Sequence, residues 1–179
     1  IINFIDYYNE ENKNKKSEAI IQKEILEIIE KLRVNENPNE YIFIYDFNGN
    51  LVQDAIAKKD NIGHNYLNIK DIKGKEVVKE LITTSKRNLG GYVEYVWLKP
   101  EISKQTTKIS YALSYNKWNW TIGKGVYLDE IDKLIKEKEE DYNQKISNYT
   151  LQITSLTIML VLYSIFIYKN ATILIVNDV

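Results

Sequence analysis

No cysteine occurs in this chain, which removes disulfides, thiolate catalysis, c-type haem attachment and every cysteine zinc site together. Histidine is nearly as scarce. His64 is the single one, so a metal site would have to be built from carboxylates and carbonyls, the ligands of hard cations, and zinc hydrolases are excluded. Net charge is almost absent too: 24 basic and 25 acidic residues leave -1, so there is no global field to gather nucleic acid, and no nucleic-acid partner is expected. At 179 residues the chain suffices for one compact domain plus an anchor and falls short of two domains with separate cores. Opening on Ile1 and stopping at Val179 just after an apolar run, it reads as a piece of a longer protein.

Charge is also missing locally. Between Lys145 and Lys169 there is none, and Leu151 to Tyr168 is apolar except for Gln152, Thr154, Ser155, Thr157 and Ser164. As a helix this stretch would be about 27 Å long, close to the hydrocarbon thickness of a bilayer. A small domain rarely has enough apolar surface to surround so uniform a cylinder, so a membrane span is predicted over a buried core helix. Tyr163 and Tyr168 suit an interfacial belt, while Lys169 alone fixes no orientation.

What is present is helix at both ends and sheet between. Ile21, Ile25, Ile28, Ile29 and Leu32 form a helical stripe ended by Asn35 to Asn39 with Pro38, and the charged run Asn9 to Lys16 allows an earlier start. Ile131, Leu134, Ile135, Tyr142, Ile146 and Tyr149 recur at helical spacing towards the apolar stretch, predicting one continuous helix. Tyr41 to Phe47 is a β-branched and aromatic run meeting Asn48-Gly49, a hairpin signal, before Leu51 and Val52. Val77, Val78, Leu81 and Ile82 give a short helix ended by Asn88, Gly90 and Gly91. Tyr92 to Leu98, Thr107 to Tyr115 and Trp120 to Tyr127 are three further strands. The order is that of an α+β fold with an antiparallel sheet.

Three chemical motifs yield to plainer readings. Asp46, Asn48 and Asn50 alternate like a calcium loop, but the glycine falls at the fourth position and no glutamate stands at the twelfth, so a hairpin turn is expected. Ser114-x-x-Lys117 lacks the companion motifs of penicillin-recognising enzymes. His64 has no second histidine and no acid to orient it, leaving it a minor pocket candidate. With no visible nucleophile, metal cluster or paired acid, a membrane-anchored enzyme is disfavoured, and neither a cofactor nor a catalytic residue is expected.

The aromatic content of the last three strands is the strongest signal. Alternation puts Val93, Tyr95, Trp97 and Lys99 on one face and Glu94, Val96 and Leu98 on the other, so a cation shares a face with two amphipathic rings. Lys108 and Ser110 follow across a turn at Pro100 to Thr106. An apolar cavity with a few converging donors is what a small organic anion requires.

Tyr41-Ile-Phe-Ile-Tyr-Asp-Phe-Asn-Gly49, Gly63-His-Asn65 with Asp71-Ile-Lys-Gly74, Gly91-Tyr-Val-Glu-Tyr-Val-Trp-Leu-Lys-Pro100, Lys108-Ile-Ser-Tyr111, and Trp118-Asn-Trp-Thr-Ile-Gly-Lys-Gly-Val-Tyr127 with Asp129 follow one another in order. In this the chain resembles the single Cache domains of bacterial chemoreceptors, sensor histidine kinases and diguanylate cyclases. The resemblance implies a PAS-like antiparallel sheet carried on a long N-terminal helix, held outside the cytoplasm at the inner membrane, in a homodimer. It implies a small-molecule ligand, often a short carboxylate, in a pocket on the sheet. Carried over by motif, Tyr95, Trp97, Lys108 and Tyr111 are the pocket residues: the lysine as anion partner, the tyrosines as donors, the tryptophan as apolar wall. Tyr45, Trp118 and Tyr127 rank second. Lys124 departs from the family, where a small residue usually stands between the two glycines.

The expected divisions are 1–40 for the N-terminal helix, 41–132 for the sensor core, 133–150 for a juxtamembrane helix, 151–168 for the span and 169–179 for the start of a cytoplasmic part. The last segment resembles the opening strand of a phosphoacceptor receiver domain, with Asn177 in place of the first of its two acids. Ligand closing the sheet would displace the helix that begins near Asp129. The competing expectation is a ligand-free module, driven by a partner protein or by dimerisation, with a filled cavity.

Overall fold

The computed structural model describes residues 1–31, 39–54 and 59–177, of which 59 and 171–177 are described for their backbone only. The chain forms two compact units, Ile1–Ile131 and Asp132–Val179.

In the first unit the N-terminal helical region is two helices and not one: α1, Ile2–Asn12, and α2, Glu18–Lys31. The break has a local cause. Asn12 turns its side-chain amide onto the Tyr8 carbonyl, competing with the backbone ladder, and Lys13, Lys15 and Lys16 crowd like charge into the next turn. Tyr8 donates to Glu24 at 2.9 Å and Lys16 reaches the same carboxylate at 2.7 Å, tying the pair together. The predicted stripe is buried at Ile21, Ile25 and Ile29; Leu32 and most of its Asn35 to Asn39 terminator lie outside the described residues.

The hairpin forms as expected, with β1, Ile42–Asp46, and β2, Leu51–Asp54. Asp46 makes the turn by accepting the backbone N–H groups of Asn48 and Asn50, and Gly49 supplies φ +88° in a place where a Cβ would collide with Leu67. Then come α3, Val77–Ser85, β3, Gly91–Lys99, β4, Lys104–Tyr115, and β5, Trp120–Tyr127. The β3–β4 turn is shorter than its expected span, since pairing resumes at Lys104 opposite Lys99.

All neighbouring strands are antiparallel in the order β2-β1-β5-β4-β3. Each face of the sheet has its own core. Ile42, Ile44, Tyr115, Trp118, Trp120 and Ile122 meet α1 and α2 through Ile5, Ile21, Ile25 and Ile29. The other face, with Tyr41, Phe43, Tyr45, Val93 and Tyr95, packs on Val77, Val78, Leu81 and Ile82 of α3. The observed class is the α+β, PAS-like one read from the sequence.

The helix α4 is assigned from Leu128 to Asn177. Within Leu128–Asn170 an 18-residue window has mean hydropathy 1.9 and none of it is buried, so the helix is long and apolar enough to cross a membrane. Among its polar side chains, Thr154, Thr157 and Ser164 each donate to the carbonyl four residues earlier, an arrangement that suits hydrocarbon surroundings. The strand expected near the chain end is not formed, because the backbone stays helical through Asn177. A helix meets its hydrogen bonds within itself, whereas a lone apolar strand cannot.

Candidate functional site

Between the sheet and α3 lies a small cavity lined by Tyr41, Phe43, Tyr45, Asp54, Val77, Val78, Leu81, Tyr95 and Trp97, with about 10 Å³ of free room, enough for about one water. Lys108 is fully buried beside it. Its Nζ stands 3.7 Å from the centroid of the Tyr41 ring, 5.0 Å from Tyr127 and 5.9 Å from Phe43, with no hydrogen-bond partner among the described residues. Burial drives its ammonium down to a pKa of about 7, against the opposing fields of Asp54 and Glu130. A buried cation held mainly by ring faces is costly unless something further compensates it.

Space for this lysine comes from glycine. A Cβ at Gly125 would strike the Ser110 hydroxyl and come within 2.8 Å of Lys108 Cε, and one at Gly123 would strike the Phe43 ring. Tyr95 and Ser110 share a hydrogen bond of 2.8 Å. Burial raises the phenols of Tyr41, Tyr45 and Tyr95 above the usual range, with the charge of Asp54 adding to each. Tyr127 is pushed up to about 12 by burial. All four are donors at neutral pH.

The expected site residues divide by face. Tyr45, Tyr95, Trp97, Lys108 and Tyr127 gather on the α3 side of the sheet. Tyr111 and Trp118 are not brought there. Tyr111 sits three residues from Lys108 on one strand and so points to the opposite face, where it packs edge-on against Tyr92 and donates to the Leu89 carbonyl. Trp118 belongs to the core under α1 and α2, packed edge-on against Tyr115 and Trp120. Lys124 also faces away and pairs with Glu40 at 2.8 Å, while His64 is an exposed loop residue.

Tyr41, Phe43 and Asp54 are lining residues absent from the sequence-based set. The first two follow from Tyr45 by period-two alternation. Asp54 does not, because the β1–β2 register shifts between Ile44 and Tyr45, pairing Tyr45 with Leu51 but Phe43 with Asp54. The extra residue at this bulge reverses the parity of β2 and turns Asp54 inwards.

A second polar cluster lies at the start of α4. Lys99, nearly buried, bonds Asp129 Oδ2 at 2.9 Å and Glu130 Oε1 at 3.1 Å. Asn39 donates to Glu130 at 2.6 Å and to Glu101 at 2.9 Å. Although desolvation lowers the Lys99 pKa, the bonds to Asp129 and Glu130 hold it above its ordinary value. Tyr127 joins cluster to cavity: its ring lies 5.6 Å from Lys99 Nζ and its hydroxyl donates to the Leu98 carbonyl at 2.8 Å.

Over residues 2–141 the chain matches the family model of the Single Cache domain 2. It is similar to the sensor histidine kinase MctS of Rhizobium johnstonii, 40% identical over 91 residues that make up 51% of this chain and 19% of that one. It is also similar to the methyl-accepting chemotaxis protein McpP of Pseudomonas putida, 29% identical over 116 residues, or 64% and 21% of the two chains. The chain thus spans about a fifth of the length of these curated relatives. A solved Cache chemosensory domain, described in terms of carboxylic acid recognition, superposes with a TM-score of 0.61 at 27% identity, covering 70% of this chain and 82% of that one.

Proposed function

The chain belongs to the Single Cache domain 2 family, and from that premise we propose that it is the extracytoplasmic ligand-sensing part of a bacterial inner-membrane receptor. It takes a short carboxylate into the cavity between the sheet and α3, and it signals by displacing α4. The observation that carries this reading is Lys108, a fully buried lysine whose Nζ has no hydrogen-bond partner among the described residues. A carboxylate supplies the missing charge and acceptors in a low-dielectric site. The Tyr95 hydroxyl, able to accept from Ser110, donates to a further lone pair of the anion, Trp97 and Tyr45 are apolar wall, and the Tyr41 ring swings off Nζ to let the anion in.

The proposed divisions remain 1–40, 41–132, 133–150, 151–168 and 169–179, with a homodimer as the working assembly. Transmission runs from Lys108 through the shared Tyr127 ring to Lys99, whose two carboxylate partners belong to the first turn of α4. Displacements of about 1–2 Å at such helices suffice to bias a two-state receptor.

The narrowness of the cavity, about 10 Å³, favours a second reading, the ligand-free module. One experiment separates the two. The chain in detergent micelles is heated with a panel of short carboxylates, where a ligand at 100 times its dissociation constant adds about 2.7 kcal/mol. A carboxylate that stabilises the chain but not Lys108→Met supports the sensor. Stabilisation by none of them sinks it in favour of the ligand-free module.

A further inference from the structure

We propose that Asp71 is the pin of a gate over the cavity. The turn 71–75 clips the N-terminal end of α3 to the edge of the sheet, and its release lets α3 lift about its C-terminal end to admit a guest. Only the nature of that guest rests on the sensor reading of the cavity.

With about 10 Å³ of free room, the cavity takes nothing larger than about one water unless its roof moves. That roof is α3, which lines the cavity with Val77, Val78 and Leu81. Its two ends are held differently. At the C-terminal end Ser85 Oγ and Thr121 Oγ1 share a hydrogen bond of 2.9 Å, both residues being fully buried, and a Cβ on Gly91 would come within 2.7 Å of Thr84 Cγ2. Breaking this tie strands a hydroxyl away from water, the costly way to lose a hydrogen bond.

The N-terminal end is held at the rim of the sheet. β3 is an outermost strand, so alternate backbone groups point away from β4 with no strand to meet them. The turn before α3 takes two of these: Asp71 Oδ2 accepts the Val96 N–H at 3.0 Å, and Lys75 Nζ donates to the Glu94 carbonyl. Asp71 also shapes the turn, its Oδ1 accepting the N–H groups of Lys73 and Lys75 at 2.9 Å each. Lys75 pairs with Glu80 of α3 at 3.5 Å, and the Val77 N–H bonds the Ile69 carbonyl, so turn and helix travel together. Between Glu94 and Val96 stands Tyr95, with Trp97 next, and both line the cavity. The clip thus crosses β3 beside the cavity wall. Water reaches the groups it frees, so opening here costs only the net worth of the bonds, and α3 lifts from Val77 rather than from Ser85.

The chain has no cysteine, so one introduced thiol reports opening by its rate of reaction with a water-soluble maleimide, in the full chain in detergent micelles. Val78→Cys puts the thiol under α3 and Ile25→Cys puts a reference in the opposite core, both at fully buried positions. A buried thiol reacts from open forms in proportion to their population when reclosing is fast. Val78→Cys is expected to react faster than Ile25→Cys and with a shallower dependence on urea, because a lifted helix exposes less surface than an unfolded chain. Asp71→Ala should raise its rate by at least about 10-fold, and Lys75→Met, which keeps the Asp71 turn, by at least about threefold, both with the shallow slope retained. A common rate and slope at the two positions, or a Val78→Cys rate that neither variant raises, overturns the gate. Acetate probes passage. The pin is made with or without a guest, so its loss should speed acetate entry and exit alike in stopped-flow tryptophan fluorescence and keep the dissociation constant within about threefold. Acetate exchanging at unaltered rates in both variants overturns the gate as the ligand's path. Binding of no short carboxylate, with the thiol results as expected, overturns the sensor reading and upholds the gate.

Discussion

The Nζ of Lys108 stands 3.7 Å from the centroid of the Tyr41 ring, so a π face lies against the cation of this cavity, with the fields of Asp54 and Glu130 supporting its charge. Because burial lowers its pKa from 10.5 to about 7, the folded state holds fewer protons than the unfolded state between those values. Stability attributable to this group therefore rises with pH from about 7 towards 10.5, and the burial penalty is fully present below 7. Lys108→Met should stabilise the chain by about 1–4 kcal/mol at pH 6 and by less at pH 9. Thermal unfolding at the two pH values checks this, and an equal gain at both would show that the lysine is not the titrating group.

Anion binding has the opposite pH dependence. A carboxylate needs the ammonium, so acetate affinity should fall by about 10-fold for each pH unit above the ligand-free pKa near 7, until the bound-state pKa is passed. Titration calorimetry from pH 6 to pH 9 measures it. A flat profile would mean that the ligand does not use Lys108.

Gly125 leaves the space that Lys108 and Ser110 occupy. Gly125→Ala should destabilise by about 1–3 kcal/mol, as overpacking does, and should weaken carboxylate binding by displacing the lysine. Gly74 gives the control: it has open space around it but φ +83°, so alanine there should cost stability alone. Comparing unfolding midpoints with binding constants separates the two effects.

Lys99, Asp129 and Glu130 line no part of the cavity, and Tyr127 joins the cluster to it. At pH 6, where Lys108 is charged without help from the Glu130 field, Glu130→Gln should keep acetate affinity within about threefold while weakening the hold on the first turn of α4. Spin labels on α2 and α4 in nanodiscs report the outcome. The ligand-dependent distance change should shrink in this variant, and an unaltered change would remove the cluster from the transmission path.

Much of the fold was legible because it is written in short-range patterns. Asn48-Gly49 makes the hairpin it signals, Val77 to Ile82 makes the short helix, and Tyr95, Trp97 and Lys99 share the face that alternation assigns. The misses arise where a local pattern meets an interruption. The helical stripe at Ile21 to Ile29 did not reveal the break at Lys13 to Ser17, which depends on a side chain competing for a carbonyl. Asp54 was hidden by a bulge that leaves no mark in β2. Tyr111 and Trp118 came from family motif, and the structure sets both apart from the cavity: strand parity turns Tyr111 to the other face, and the short turn Asn116–Trp118 between β4 and β5 delivers Trp118 to the core under α1 and α2.

That division of faces gives a last test. Tyr111 and Tyr95 are both tyrosines on neighbouring strands, yet only Tyr95 faces the cavity, with its hydroxyl on Ser110. Tyr95→Phe leaves the buried Ser110 hydroxyl without that partner and removes a donor from the site, at a cost of about 1–3 kcal/mol. Carboxylate affinity should fall by about 10-fold or more, as loss of one buried hydrogen bond to a charged group implies. Tyr111→Phe removes a bond to the Leu89 carbonyl at the surface, where water replaces it, so both stability and affinity should stay nearly unchanged. Trp118→Phe should lower the unfolding midpoint by thinning the core under α1 and α2 and leave affinity intact. Calorimetry on the three variants decides the matter, and loss of binding in Tyr111→Phe or Trp118→Phe would place the ligand on the wrong side of the sheet for Lys108 to reach.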